Sequence, residues 1–174
     1  MRAVTVSVRD ARASPSDRLW IENVYRDYLD DLAPLNTGIF PILGEVGHRE
    51  PDQMSRWFAD SGSYPLLIAK SAVAVGFAMV ARVARLAGCA GVDYRMAEFF
   101  VARSERRRGI GQTAVQIIFN RFAGRWEINE YLRNPAAVNF WRRVVAAYTR
   151  GDYQERIING EVRQLFESSV ARPR

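Results

Sequence analysis

From Val101 to Gln112 the chain reads V-A-R-S-E-R-R-R-G-I-G-Q, and these residue types in this order suit a phosphate or pyrophosphate. Gly109 and Gly111 lack the Cβ atoms that would hold a ligand off the backbone. Ile110, Ala114, Ile117, Ile118 and Phe122 recur at helical spacing, so a helix opens at the glycines. The first amides of a helix have no partner inside it, and the helix dipole adds about half a positive charge at that end. An anion is favoured there. Arg106, Arg107 and Arg108 supply cations at the rim, each able to grip phosphate through paired hydrogen bonds. The apolar run Met96-Ala97-Glu98-Phe99-Phe100 precedes the turn, which gives the order strand, basic turn, helix. Taken alone, the same residues read equally well as a glycine turn beside a solvated basic patch.

The spacing of Val101, Arg106, Gly109 and Gly111 resembles the V-x-P-x-x-(R/Q)-x-x-G-x-(G/A) signature of the GNAT N-acetyltransferases, a superfamily that binds acyl-CoA. Arg103 stands where that signature has proline, a departure in the loop rather than in the amide cradle. A second block, Asn134-Pro135-Ala136-Ala137-Val138-Asn139-Phe140-Trp141, is similar to the family's N-x-x-A-x-x-(F/L)-(Y/W) segment, which begins the helix flanking the pantetheine arm. The resemblance is specific over residues 64–148 and follows element order over the whole chain. It implies acetyl-CoA as the acyl donor, no metal, and a cofactor site formed by Phe99, Phe100, Val101, Arg106, Arg107, Arg108, Gly109, Ile110, Gly111, Gln112, Asn134, Ala137, Phe140 and Trp141.

Acyl transfer to an amine requires a neutral nucleophile, hence a base acting directly or through water. Glu98 is the candidate, three residues before Val101 and among apolar neighbours, where burial raises a carboxyl group toward useful basicity. A solvated Glu98 or one paired with arginine is the competing reading, and Glu127 and Glu130 are the substitutes. A backbone amide near Phe99 to Val101 would polarise the thioester carbonyl. Many relatives use a tyrosine of the last helix as acid toward the sulfur. Trp141 stands at the matching position and its indole cannot serve as a general acid at neutral pH. Tyr148 or Tyr131 could take that role, or the thiolate leaves unassisted. The expected reaction is N-acetylation of a small-molecule primary amine. Protein N-terminal or lysine acetylation and a non-catalytic acyl-CoA sensor are the alternatives.

Composition narrows the classes further. A length of 174 residues suits one domain, 1–174, with a buried core. The net charge of +6 could serve nucleic acid or an anionic ligand, but its one dense run falls in the presumed phosphate turn, so no nucleic-acid partner is expected. The single Cys89 excludes an internal disulfide, and the single His48 argues against histidine-rich metal sites and a serine triad. No apolar run approaches the roughly twenty residues of a membrane span, and no leader pattern opens the chain. A cytoplasmic protein without a membrane partner is expected; homodimers are common in the family.

The elements that must position these residues follow from periodicity. Val4 to Val8 alternates as a strand. Ser14-Pro15-Ser16-Asp17 opens a helix with an apolar stripe from Leu19 to Leu32. On it, Asp27, Asp30 and Asp31 form either a solvated face or an attractor for a cationic amine; Phe40, Trp57 and Phe58 either line that cleft or pack in the core. Pro51 to Phe58 gives a second short helix, Tyr64–Ala69 and Val73–Val83 a hairpin, and Tyr94–Ala102 the central strand. Gly76 marks a bulge or close approach. The phosphate helix extends to about Ala123, with Gly124 placed to end it. Then come the strand Trp126–Tyr131, a helix with Ala137, Phe140, Trp141, Val144, Val145 and Tyr148 on one stripe, and a hairpin across Asn159-Gly160. Ser168–Arg174 is expected to be a frayed, disordered tail. The order β-α-α-β-β-β-α-β-α-β-β is an α+β layout. With the resemblance it implies the acyl-CoA N-acyltransferase fold: a mixed, mostly antiparallel central sheet with flanking helices, splayed near its middle.

Overall fold

The computed structural model describes residues 5–35, 51–83 and 91–169. Within them the strands are β1 (Val6–Asp10), β2 (Ser63–Lys70), β3 (Val73–Arg82), β4 (Tyr94–Val101), β5 (Gly124–Tyr131), β6 (Gln154–Ile158) and β7 (Glu161–Ser168). The helices are α1 (Pro15–Leu32), α2 (Pro51–Ala59), α3 (Ile110–Arg121) and α4 (Pro135–Thr149). The strands form one seven-stranded sheet in the order β1-β2-β3-β4-β5-β7-β6. Every pairing is antiparallel except that of β4 with β5. No helix among the described residues is long and apolar enough to cross a membrane.

The sheet separates two apolar layers. Leu66, Ile68, Met96, Val101, Trp126, Ile128 and Phe166 pack with α3 and α4 on one face. Leu67, Phe77, Met79 and Phe100 pack with Ile21 and Tyr25 of α1 and Met54 of α2 on the other. Alternation along each strand sends neighbouring side chains to opposite layers, which is why these strands read as apolar on both faces. Leu19, grouped with the apolar stripe of α1, is instead 56% exposed. Tyr28 and Leu29 fill the layer with Tyr25.

The β4–β5 ladder consists of Tyr94 opposite Trp126 and Arg95 opposite Glu127. Past these pairs the strands no longer meet, so the sheet is splayed at its centre, as the resemblance implied.

Two bulges bend the central strands. Ile68 pairs with Gly76 and Ala69 with Ala74, leaving Val75 extra on β3; Met79 pairs with Glu98 and Val80 with Met96, leaving Ala97 extra on β4. Gly76 is also a close approach, because a Cβ there would stand 2.4 Å from the Phe100 carbonyl oxygen. The Asn159-Gly160 turn has φ of 52° and 79°, the paired left-handed geometry that fits strand twist. Ser71 and Ala72 make the β2–β3 turn in the same region, at 46° and 71°, without a glycine.

Two boundaries differ from the sequence reading. Helix α3 ends at Arg121, and Gly124 opens β5 at φ 152°, where a Cβ would meet the Asp93 carboxylate at 2.8 Å. Close packing, not helix termination, requires that glycine. Ser168 is the last residue of β7 rather than part of a frayed tail: its hydroxyl donates to the Phe122 carbonyl at 3.0 Å and accepts from the Trp126 indole at 3.1 Å. Phe40, His48, Cys89 and residues 170–174 lie outside the described residues.

Candidate active site

The basic turn leaves the end of β4 through a short 3-10 turn, Arg103–Glu105. Arg107 has φ 61° and Gly109 φ 79°, and α3 begins at Ile110. A side chain at Gly109 would meet nothing within 4 Å, so its glycine is explained by the left-handed backbone alone. The Gly109 carbonyl already accepts from the Thr113 amide at 3.0 Å, while the amides of Ile110, Gly111 and Gln112 open the helix. They follow the end of β4 through the turn, and amides so placed suit an anion.

The arginines of the turn divide their work. Arg106 donates through Nε to the Val101 carbonyl at 2.7 Å, pairs with Asp31 of α1, and lies 5.5 Å over the Phe100 ring. Arg103 also pairs with Asp31, its Nε 2.7 Å from the carboxylate. Burial would raise the Asp31 pKa, but hydrogen bonds and charge from Arg106 and Arg103 outweigh it and hold the carboxyl below its ordinary range. Arg106 is therefore committed to the turn's own shape, and Asp31 is not free to attract an amine. Arg107 and Arg108 are exposed like Arg103 and Arg106, with Arg108 3.8 Å from Glu105.

The two sequence blocks meet in space. A Cβ on Gly111 would come within 3.2 Å of the Phe140 ring, so the second glycine admits α4 rather than a ligand. Phe140 stacks on Phe99 with centroids 5.6 Å apart, and Trp141 stands edge-on to Phe99 at 5.4 Å. Phe99, Phe140 and Trp141 thus join β4, α3 and α4 on the far side of the sheet from α1. Asn134 caps α4, its side-chain oxygen accepting from the Ala137 amide at 3.1 Å. Ala137 packs on the same apolar layer.

The bulge at Ala97 decides where Glu98 points. Regular alternation would put Met96 and Glu98 on one face; the extra residue sends Met96 to the α3–α4 layer and Glu98 to the α1 layer. There Glu98 is buried and its Oε1 accepts from the Tyr25 hydroxyl at 2.8 Å. Tyr25, Tyr28, Phe77 and Phe100 form a ring cluster around this point, with neighbouring centroids 5.5–6.1 Å apart.

The substitutes for Glu98 are differently employed. Glu127 is held by Arg95, whose Nε lies 3.0 Å from its carboxylate, across the last β4–β5 pair. Glu130 faces the α4 layer, buried, and neither of its oxygens has a hydrogen-bond partner among the described residues. Burial, then the charge of Glu155, pushes its pKa up to about 8 against the opposing effect of Arg142.

Tyr148 does not join the site. Its hydroxyl donates to Asn120 at 2.8 Å and its ring packs edge-on to Phe119. Asn120 lies ten residues along α3 from Ile110, about 15 Å at the helical rise. Tyr131 ends β5 on the opposite face from Glu130; burial and Glu161 raise its pKa, so it remains a phenol at neutral pH.

Tyr25 as the partner of Glu98, and Asp31 as the partner of Arg103 and Arg106 rather than an attractor for an amine, are not readable from the sequence. The apolar stripe of α1 carries Tyr25 as an ordinary packing residue, and Asp31 looks like its exposed neighbours Asp27 and Asp30. Only the fold distinguishes them. Among the described residues no three His, Cys, Asp or Glu side chains are grouped to hold a metal ion.

Solved structures share this architecture. An acetyltransferase from Thermus thermophilus matches with TM-score 0.64 at 15% identity, over 96% of this chain and 99% of that one. Arabidopsis thaliana NAA60 in complex with acetyl-CoA matches with TM-score 0.61 at 14% identity, over 94% and 98%. Spermidine N-acetyltransferase from Vibrio cholerae, in complex with CoA and spermine, matches with TM-score 0.60 at 12% identity, over 94% and 95%. The fold is thus the acyl-CoA N-acyltransferase fold. The sequence over residues 21–145 also matches the profile of the acetyltransferase (GNAT) family, and the chain belongs to that family. No curated protein matches it in sequence.

Proposed function

We propose that the protein is an acetyl-CoA-dependent N-acetyltransferase acting on a primary amine of a small molecule. The observation that carries this reading is the arrangement of β4. Its bulge aims the buried Glu98 at the α1 face, and its end leads through the turn to the first amides of α3. Donor and acceptor would then approach the splay from opposite faces. The pyrophosphate sits on the amides of Ile110, Gly111 and Gln112 with Arg107 and Arg108 beside it. The pantetheine arm runs along the edge of β4 that β5 abandons.

Glu98 takes the proton that a neutral amine sheds as it attacks, directly or through one water. The amine nitrogen attacks the thioester carbonyl, whose oxygen is stabilised by a backbone amide of β4. The C–S bond breaks as the amide forms. CoA leaves as a thiolate, a better leaving group than an alkoxide or an amide anion. Trp141, buried between Phe99 and Phe140, shapes this wall and moves no proton. A small cationic acceptor agrees with the exposed carboxylates Asp27 and Asp30 on α1, and with the fold shared with a spermidine N-acetyltransferase.

Thermal unfolding with acetyl-CoA tests the cofactor assignment. A ligand at a hundred times its Kd stabilises by about 2.7 kcal/mol, roughly 5–11 °C for a chain of this size. The shift is expected with acetyl-CoA and absent with inorganic phosphate. No shift with acetyl-CoA would overturn the assignment.

A further inference from the structure

Helix α1 touches both halves of the candidate site. Tyr25 holds Glu98, and six residues further, about 9 Å along the axis, Asp31 holds Arg103 and Arg106 of the turn. Asp31 stands in the last turn of α1, where the negative end of the helix dipole disfavours a carboxylate unless cations face it. Its side chain is 17% exposed, and both partners come from the one segment that shapes the amide cradle. Arg106 is gripped from three sides, by Asp31, the Val101 carbonyl and the Phe100 ring, which makes it a brace rather than a free ligand for phosphate. Across the turn Lys70 holds Glu105 at 2.8 Å, so residues 103–106 are gripped from two sides.

We propose that Asp31 is a positioning residue for the acyl-CoA turn: through Arg103 and Arg106 it holds the amides of Ile110, Gly111 and Gln112 ready for the pyrophosphate. Because the same helix holds Glu98, the turn and the base are fixed to one rigid body. This inference rests on the cofactor reading above and adds a residue that contacts neither cofactor nor acceptor.

The test combines calorimetric titration of CoA with hydrogen exchange of the cofactor-free protein. In Asp31→Asn the Kd for CoA is expected to rise about tenfold, the loss of about 1.4 kcal/mol. The amides of residues 110–112 exchange faster while the core strands do not. Asp31→Glu, which retains the charge, is expected to recover most of the affinity, and Glu22→Gln, on the same helix but paired with Arg18, to bind as wild type does. Unchanged affinity and exchange in Asp31→Asn would overturn the proposal. Tighter binding would overturn it too, because Asp31 would then be competing with phosphate for the two arginines. A wild type that binds no CoA would defeat the cofactor reading instead, and the exchange comparison would still show whether Asp31 holds the turn.

Discussion

The Tyr25 hydroxyl lies 2.8 Å from Glu98 Oε1, joining the middle of α1 to the central strand across 73 residues of sequence. This contact fixes the carboxylate within a cluster of rings beside the splay. Hydrogen bonds to charged groups contribute about 1.5–3 kcal/mol, so Tyr25→Phe is expected to lower kcat/KM at least about tenfold. The ring contacts survive in Phe, so the melting temperature should fall only by the loss of one hydrogen bond, roughly 3–12 °C. Steady-state kinetics and a melting curve on the same preparation check both halves.

Glu127→Gln is expected to behave differently from a change at Glu98. Glu127 is clasped by Arg95 at the fork of the sheet, so its carboxylate is engaged within the sheet rather than turned to an acceptor. The rate should therefore stay within a factor of about 3. A collapse of turnover with intact acetyl-CoA binding would move the base from Glu98 to Glu127.

The three glycines near the turn should fail in different ways on replacement by alanine. Gly76→Ala drives a Cβ into the Phe100 carbonyl and should unfold most readily. Gly109→Ala places a side chain in open space at φ 79°, at a cost of about 1–2 kcal/mol. Gly111→Ala gains roughly 1 kcal/mol of helix propensity but displaces Phe140. Its melting temperature should be near wild type while CoA affinity falls. Melting curves and CoA titrations of the three variants reveal the order.

Glu130 makes stability depend on pH. Its pKa rises on folding from an ordinary 4.5 to about 8, so the folded state binds the extra proton. The stabilising contribution is complete below the unfolded value and is lost as pH rises through the folded one. Glu130→Gln removes that dependence. Denaturant curves should show the variant gaining on wild type from pH 5 to pH 9, with the largest advantage at the alkaline end. A constant difference across that range would contradict the burial argument.

Much of this layout was legible in the chain. Element order follows from alternation in the strands and from helical stripes such as Ala114, Ile118 and Ala137, Trp141, Val145. The Gly-x-Gly turn was legible because helix termini and left-handed backbone have strict residue requirements. The destination of each arginine was not: Arg103 and Arg106 look like Arg107 and Arg108 until α1 brings Asp31 to them. The direction of Glu98 was equally hidden, since a bulge at Ala97 is a property of register between two strands rather than of either strand alone. Tyr148 shares the apolar stripe of α4 with Trp141, and only the packing of α4 on α3 shows that its hydroxyl is bonded to Asn120.

The central claim is that Glu98 drives acetyl transfer from CoA to an amine. The most direct measurement follows thiol release from acetyl-CoA with a panel of primary amines, polyamines first, for wild type and Glu98→Gln. The account predicts amine-dependent release by wild type and a loss of about 10²–10⁴ in the variant, with acetyl-CoA binding unchanged. Equal release by the two proteins would contradict it.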